Sequence, residues 1–281
     1  MSAEPSVVNS VRVRGGTIIT LREDAIDLWC CRDEEIVDGS LLTYCYGQLS
    51  DAEKRQQGRF YYGRHRHQYL ISRAMVRCIL SLYEHQVSPE QWELSVNAFG
   101  KPWISGPAVG PVHFNLSHTT GMIVLAVTKH REVGVDVEST TRDTSCVDIA
   151  DRFFSPREVE GLRSLSSDER RGRFYDLWTL KEAYIKARGM GLALPLDGFT
   201  FQFPAAHAIE LTFSPKITDD APNWKFWLLK PSAEHPVAVA VKGTSAEEQF
   251  HICIRDFVPP AGYTVVEWPC VRSSANLRSL S

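Results

Sequence analysis

The chain has 281 residues, 23% of them charged and 43% hydrophobic, with a formal net charge of −3. This length allows one large domain or two small ones, and the slight negative charge excludes a general attraction to nucleic acid or anionic membranes. The seven cysteines include no C-x-x-C pair, and the N-terminus lacks the pattern of a secretory signal. These features predict a cytosolic protein with reduced thiols.

The first part of the chain predicts one strand followed by two helices. Apolar residues around Trp29 favour a strand. Ser50 and Glu53 have the spacing of a capping box, in which serine is the N-cap and glutamate occupies the third helical position. A second helix is predicted over about 64–83, because its apolar residues recur at intervals of three and four.

Short strands and turns are predicted next. Residues 97–102 form a turn, 113–118 a short strand, and 121–128 a buried strand. A polar break at 130–132 then precedes a strand over 133–138. This break is the predicted boundary between two halves.

The last part combines helices with several strands. Ser155 and Ser166 each precede a glutamate by three residues, which predicts two further capping boxes. The second helix should end near Arg188, with Gly189 as its C-terminal cap. Strand-like runs follow it at 199–203, 209–213, 224–229, 236–241 and 250–254.

These elements divide the chain into four predicted segments. Residues 1–24 are a loosely attached lead-in, 25–130 an N-terminal half, 131–258 a C-terminal half, and 259–281 a tail without a clear pattern. Each half contains helices and strands, which predicts an α+β fold of two halves packed side by side.

The sharpest local signal is the hexapeptide Val133–Glu138. Side chains alternate along a strand, so Asp136 and Glu138 share one face while the valines share the other. Carboxylates two residues apart can converge on one hard cation, and Mg²⁺ suits carboxylates combined with phosphate oxygens. A half-exposed strand with a solvated acidic face would give the same pattern.

The helix around Trp178 supplies the second signal. Glu182 and Lys186 are four residues apart in the order that favours an ion pair on a helix surface. An exposed pair of this kind is common, but the aromatic residues nearby predict a half-buried helix.

Basic and polar residues offer candidate phosphate contacts. Lys101 lies in a Gly-Lys-Pro turn, and His118 follows Ser117 at a strand end. The segment 54–77 contains many arginines, which either form a solvated face or bind phosphate. The capping-box position of Glu158 explains that residue without a metal role.

Taken in order, several motifs resemble those of the Sfp-type 4′-phosphopantetheinyl transferases. The resemblance covers about 25–243 and rests on Gly100-Lys-Pro102, Phe114-Asn-Leu-Ser-His118, Gly134-Val-Asp-Val-Glu138, Phe153-Phe-Ser155, Trp178-Thr-Leu-Lys-Glu-Ala-Tyr-Ile-Lys186, Gly189-Met-Gly-Leu192 and Pro195-Leu196.

The resemblance implies two similar α/β halves with the active site in the cleft between them. It also implies that Asp136, Glu138 and Glu182 hold Mg²⁺. Glu182 matches the position of the base that takes the proton of a serine, and Lys186 matches a catalytic lysine on the phosphate side.

The same resemblance implies contacts with the co-substrate coenzyme A. The matching positions include Asp136 and Lys186 at the phosphates, with His118 at the 3′-phosphate. The full set of implied coenzyme A contacts is Arg59, Arg64, Lys101, Ser117, His118, Asp136 and Lys186.

The implied reaction moves 4′-phosphopantetheine from coenzyme A to a serine of an apo acyl or peptidyl carrier protein and releases 3′,5′-ADP. We expect a cytoplasmic monomer that binds neither nucleic acid nor membranes. Two alternatives remain open from the residues alone: another Mg²⁺ enzyme, such as a phosphohydrolase or nuclease, and a non-catalytic module that binds coenzyme A or carrier proteins.

Overall fold

The structure, a computed structural model, describes residues 18–106, 110–141 and 145–274. It is a mixed α+β fold, which confirms the predicted class. Contacts divide the described residues into two compact units, one from 18–95, 102–130 and 251–267, the other from 96–101, 131–250 and 268–274. Among the helices of this part of the chain, none is long and apolar enough to cross a membrane.

The first unit is built on a five-stranded sheet in the order β12-β11-β1-β5-β4. Strand β1 runs parallel to β11 and antiparallel to β5. Strands β2 and β3 pair with each other in a separate two-stranded sheet. The elements are β1 (Ala25–Cys31), α1 (Gly39–Gln48), α2 (Asp51–Arg59), α3 (Gly63–Tyr83), β2 (Leu94–Val96), β3 (Pro102–Ile104), β4 (Val112–Thr119), β5 (Met122–Lys129), β11 (His251–Val258) and β12 (Gly262–Val266).

Helices α2 and α3 agree with the sequence prediction. The Ser50 hydroxyl oxygen accepts a hydrogen bond from the Glu53 backbone N–H, and the Glu53 carboxylate accepts one from the Ser50 backbone N–H. These two bonds confirm the predicted capping box. Helix α3 buries one face in the core of this unit, together with Trp29 of β1.

The arginine-rich segment serves partly as internal structure. The Glu53 carboxylate pairs with Arg73 at 2.6 Å and with Arg77 at 2.8 Å. Arg77 is 2% exposed and also donates to the backbone carbonyls of Pro89 and Trp92. These two arginines are therefore engaged in holding α2 and α3 together.

The second unit contains a four-stranded sheet in the order β13-β9-β10-β6, together with a two-stranded β7-β8 sheet. Its three helices include the long helix α6, which packs against β6 and β10. The elements are β6 (Val133–Val137), α4 (Cys146–Phe153), α5 (Pro156–Arg163), α6 (Ser167–Arg188), β7 (Phe199–Gln202), β8 (Glu210–Phe213), β9 (Trp224–Leu229), β10 (Val237–Lys242) and β13 (Cys270–Ser273).

The N-terminal lead-in differs from the predicted loose attachment where the structure describes it. Ile19 and Leu21 are buried in the core of the first unit, and the Ile19 amide donates to the Leu82 carbonyl at 2.9 Å. Residues 1–17 lie outside the described part of the chain.

The C-terminal region also differs from the predicted division. Strand β11, assigned from the sequence to the second half, lies beside β1 in the first unit, because β1 offers it a second edge for main-chain hydrogen bonds. The tail contains β12, which pairs with β11, and β13, which pairs with β9. Residues 275–281 of the predicted tail are outside the described residues.

Candidate functional site in the second unit

Strand β6 meets helix α6 at a glycine. A Cβ on Gly134 would lie 2.0 Å from the carbonyl oxygen of Ala183 and 2.4 Å from the amide nitrogen of Ala187. The residues that pair with Gly134 and Asp136 on the neighbouring strand are both alanines. Small side chains on this face therefore let the helix backbone rest directly on the strand.

Helix α6 has the predicted ends. The Ser166 hydroxyl accepts the Glu169 amide, although the Glu169 carboxylate accepts the serine hydroxyl rather than completing the capping box. Gly189 ends the helix in the left-handed conformation with φ 63°, as predicted for the C-terminal cap. The ring of Trp178 stacks on those of Phe154 and Phe174, which holds the middle of the helix in place.

The acidic residues and Lys186 come together on this strand and helix. Asp136 is only 3% exposed, which rules out a solvated acidic face, and its Oδ1 accepts the Lys186 Nζ at 2.6 Å. Burial raises the pKa of Glu182 to about 7, and the negative charges of Asp136 and Glu138 add to this effect, while Lys186 opposes it. Glu182 is therefore close enough to Asp136 and Glu138 to be repelled by their negative charges.

This donor set suits a hard cation. A cation bound here would offset the repulsion that Asp136 and Glu138 exert on Glu182, and oxygen ligands are those Mg²⁺ prefers. In the described residues, no three side chains of His, Cys, Asp or Glu already stand in ligating positions. The Lys186 ammonium supplies the positive charge at Asp136 instead.

We expect Glu182→Gln to stabilise the fold in metal-free buffer at pH 8. Because the folded-state pKa is raised from 4.5 to about 7, the stability contributed by the neutral acid is complete below about pH 4.5 and is lost as pH rises through 7. Glutamine imitates the neutral acid, so the gain at pH 8 should be about 1–3 kcal/mol. Urea unfolding across pH would measure it. A difference between variant and wild type that does not shrink towards pH 4.5 would contradict the assignment.

A second ionic group, Lys181 with Glu158, lies inside this unit. Both side chains are buried, and Lys181 Nζ lies 2.8 Å from Glu158 Oε2. The ammonium also donates to the carbonyls of Leu196 and Phe199, while the carboxylate accepts the amides of Ser155 and Phe201. The predicted capping box of Ser155 and Glu158 is confirmed, and the same carboxylate also ties α5 to β7.

The sequence patterns did not predict that Lys181 pairs with Glu158 inside the core. It lies one residue before Glu182 and resembles Lys186 in type, but it points into the core over the ring of Phe199 at 4.2 Å. Helical geometry could have distinguished the site lysine from the core lysine. Glu182 and Lys186 share one face of the helix, whereas Lys181 lies about 100° around the helix from Glu182.

We expect Lys181→Met to destabilise the protein by about 3–5 kcal/mol, because it leaves the buried Glu158 carboxylate without its cation. The double variant Lys181→Met with Glu158→Gln should recover a large part of this loss. Lys216→Met, which removes a lysine from an exposed pair with Asp197, is the matched control and should cost less than about 1 kcal/mol. Equal effects of the two lysine variants on urea unfolding would refute this.

Another buried carboxylate fixes the end of helix α6. Asp219 accepts the Tyr184 hydroxyl at 2.7 Å and the Trp224 indole N–H at 2.9 Å, and it pairs with Arg188 and Lys242. Burial alone would raise its pKa, but these hydrogen bonds and charges lower it to about 2. No local pattern around Asp219 predicts this role.

Lys101 belongs to the second unit, at the other end of the contact between β6 and α6. Its ammonium donates to the Ala187 and Val133 carbonyls at 2.9 and 3.3 Å and to the Glu132 carboxylate at 3.0 Å. Lys101, which the resemblance assigns to coenzyme A, therefore has a protein acceptor for each of its three ammonium N–H groups.

The four remaining predicted contacts belong to the first unit. Ser117 is buried and His118 exposed on β4, where they pair with Val124 and Ile123 of β5. Arg59 is the exposed last residue of α2. Arg64 is exposed on the first turn of α3, with its guanidinium over the ring of Tyr62 at 5.7 Å.

Comparison with known proteins agrees with the motif order. The profile of the 4′-phosphopantetheinyl transferase superfamily matches residues 132–240, which include β6 and α6. The 4′-phosphopantetheinyl transferase HetI of Nostoc sp. is 32% identical over 236 residues, covering 83% of this chain and 94% of HetI. The 4′-phosphopantetheinyl transferase Sfp of Bacillus subtilis is 37% identical over 149 residues, covering 53% of this chain and 64% of Sfp.

Among solved structures, the Thermotoga maritima holo-[acyl-carrier-protein] synthase aligns with a TM-score of 0.33 and 18% identity. The alignment covers 50% of this chain and 84% of that one.

The similarity to HetI extends over nearly the whole of that protein, and the profile match includes β6 with its acidic residues and helix α6. Both findings confirm the resemblance inferred from the ordered motifs. They favour an enzyme over the two alternatives, an unrelated Mg²⁺ hydrolase and a non-catalytic binding module. This chain belongs to the 4′-phosphopantetheinyl transferase family of enzymes.

Proposed function

We propose that the protein transfers 4′-phosphopantetheine from coenzyme A to a serine of an apo acyl or peptidyl carrier protein, with Mg²⁺, and releases 3′,5′-ADP. The observation that carries the proposal is the group formed by buried Asp136 and half-buried Glu182 and Lys186, in which the pKa of Glu182 is raised to about 7. Family membership supports the class of reaction.

We assign Asp136, Glu138 and Glu182 as the residues that hold Mg²⁺. When bound, the ion would neutralise the pyrophosphate of coenzyme A and make 3′,5′-ADP a better leaving group. We assign Lys186, whose ammonium donates to Asp136, the role of binding a phosphate oxygen.

Glu182 is the proposed base. Without the metal, burial raises the pKa of Glu182 to about 7, so this carboxylate accepts a proton more readily than an exposed glutamate would. In the proposed step the serine oxygen bonds to the β-phosphorus, its proton passes to Glu182, and the bond from that phosphorus to 3′,5′-ADP breaks. The nucleophile belongs to the carrier protein, so this chain needs none.

We assign the nucleotide end of coenzyme A to Arg59, Arg64, Ser117 and His118. Three of these side chains are exposed, and Arg59 and Arg64 carry charges that suit a phosphate. We further propose that the protein acts in the cytoplasm as a monomer, on carrier proteins rather than on nucleic acid or membranes.

We expect His118→Ala to reduce the preference for coenzyme A over 3′-dephospho-coenzyme A. A charge-assisted hydrogen bond to phosphate contributes about 1.5–3 kcal/mol, so the wild type should prefer coenzyme A by tenfold or more and the variant by clearly less. The ratio of kcat/KM values for the two donors measures this. His85→Ala, at an exposed turn of the same unit, is the matched control. Discrimination equal to that of the wild type would show that His118 does not bind the 3′-phosphate.

Mass spectrometry tests the proposed reaction directly. Apo acyl and peptidyl carrier proteins would each be incubated with the protein, coenzyme A and Mg²⁺, and the serine-to-alanine carrier variant would be the control. We expect the phosphopantetheine mass to appear on the serine, together with one 3′,5′-ADP, and to be absent with a chelator. Release of 3′,5′-ADP without a carrier protein, or no modification of any carrier, would contradict the proposal.

A further inference from the structure

The Lys101 ammonium joins the two elements that carry the acidic group. A lysine ammonium has three N–H donors, and here they face the carbonyl of Val133 on β6, the carbonyl of Ala187 on α6 and the Glu132 carboxylate. The side chain is 16% exposed, so most of it is covered by the surrounding protein. Its charge also lies at the C-terminal end of a helix, where the helix dipole favours a cation.

Asn97 binds the same helix end from the same loop. Its side-chain amide donates to the Gly189 carbonyl at 2.8 Å, while its carbonyl oxygen accepts the amides of Phe99 and Lys101 at 2.9 Å. The loop is thus fixed in shape and attached to the helix by two side chains. The acceptors on the helix side are the backbone carbonyls of Ala187 and Gly189. The last carbonyls of a helix have no hydrogen-bond partner within the helix, so the loop supplies donors for them.

Gly189 leaves the space for this loop. A Cβ on Gly189 would lie 3.1 Å from Cδ of Lys101 and 3.3 Å from Nδ2 of Asn97. The glycine also has φ 63°, which a side chain would strain. Two motifs far apart in the sequence, Asn97–Lys101 and Gly189, therefore form one contact.

We infer that Lys101 and Asn97 are positioning residues for transfer: they hold the end of α6 against the start of β6 and so set the distance between Glu182 and Asp136. The inference rests on the proposed function. Val133 is three residues from Asp136, and Ala187 directly follows Lys186, so a shift at the Lys101 bridge would reach the acidic group through short, regular segments. A role as a direct phosphate ligand would require Lys101 to leave carbonyls that it now covers.

The test compares Lys101→Met and Asn97→Ala with Lys216→Met, which removes an exposed lysine elsewhere in the same unit. Steady-state kinetics would be measured with coenzyme A and with 3′-dephospho-coenzyme A over a range of Mg²⁺ concentrations, well below the unfolding temperature. For both loop variants we expect kcat to fall by about 10- to 100-fold, the scale of a small misplacement of reacting groups. The Mg²⁺ concentration for half-maximal rate should rise, and the KM for coenzyme A and the preference for the 3′-phosphate should stay close to wild type.

Three outcomes would overturn the inference. One is a higher KM for coenzyme A with loss of donor preference in Lys101→Met, which would make Lys101 a phosphate ligand. Another is a lower unfolding temperature with unchanged kinetics, which would make the loop merely structural. The third is Asn97→Ala behaving like Lys216→Met. Failure of the proposed function is separate, because it would appear as absence of transfer by the wild type.

Discussion

Gly134→Ala should remove nearly all transfer activity while changing one methyl group. The added Cβ would lie 2.0 Å from the Ala183 carbonyl oxygen, a distance that no relaxation of a side chain can relieve because both neighbours are helix backbone. Helix α6 must move away from β6 by about 1 Å, which separates Glu182 from Asp136, and displacements of this size cost about 10²-fold in rate. Overpacking should also lower stability by about 1–3 kcal/mol. Single-turnover transfer and thermal unfolding would measure the two effects.

Gly172→Ala is the matched control for this prediction. Gly172 lies on the same helix, and a Cβ there would meet no atom within 4 Å. Alanine in a helix interior is favoured over glycine, so stability should rise by about 0.5–1 kcal/mol and turnover should not change. A Gly134→Ala protein that turns over like the wild type would show that close contact of β6 and α6 is not needed for the reaction.

Glu182→Gln should reduce turnover by about 10²–10⁴-fold, the usual scale for loss of a general base. The amide has nearly the same shape and can offer one oxygen to Mg²⁺, so coenzyme A binding should weaken only moderately. It cannot accept the serine proton. Single-turnover rates, combined with calorimetry of coenzyme A binding in the presence of Mg²⁺, would measure the two effects separately.

Asp136→Ala gives the contrast for this prediction. Asp136 is buried, is the partner of Lys186 and is a proposed metal ligand, so its removal should abolish transfer and also damage Mg²⁺-dependent coenzyme A binding. If Glu182→Gln loses binding and rate together, in the same way as Asp136→Ala, then Glu182 serves mainly as a ligand. Full activity of Asp136→Ala in chelator-treated buffer would contradict the metal assignment.

Glu158 is a poor substitute for Glu182 as the base. One of its oxygens accepts the Phe201 amide at 2.8 Å, and the other lies 2.8 Å from both the Ser155 amide and Lys181 Nζ. Both oxygens of Glu158 already accept hydrogen bonds, and its side chain has almost no contact with solvent. It is therefore poorly suited to take a proton from the serine of a partner protein. If Glu182 proves to be only a ligand, a metal-bound water is the better remaining candidate.

The sequence by itself determined the local features of this protein. Serine N-caps, the C-terminal Gly189 and the alternation of valines with acids depend on interactions within a few residues, and the structure has them where the patterns predict. The order of the motifs was enough to indicate the family. The family resemblance assigned Asp136 and Lys186 to one site, but the hydrogen bond between them was not predicted and comes from the structure.

Only the tertiary structure decided the contacts between distant segments. It placed Lys181 in the core with Glu158, set Gly134 against the backbone of α6, and attached the Lys101 loop to the end of that helix. It also placed β11 beside β1, across more than 200 residues of chain. Neighbouring residues do not show whether a lysine lies in the core or at a functional site. The free energy of burying its ammonium depends on which carbonyls, rings and carboxylates the fold brings around it.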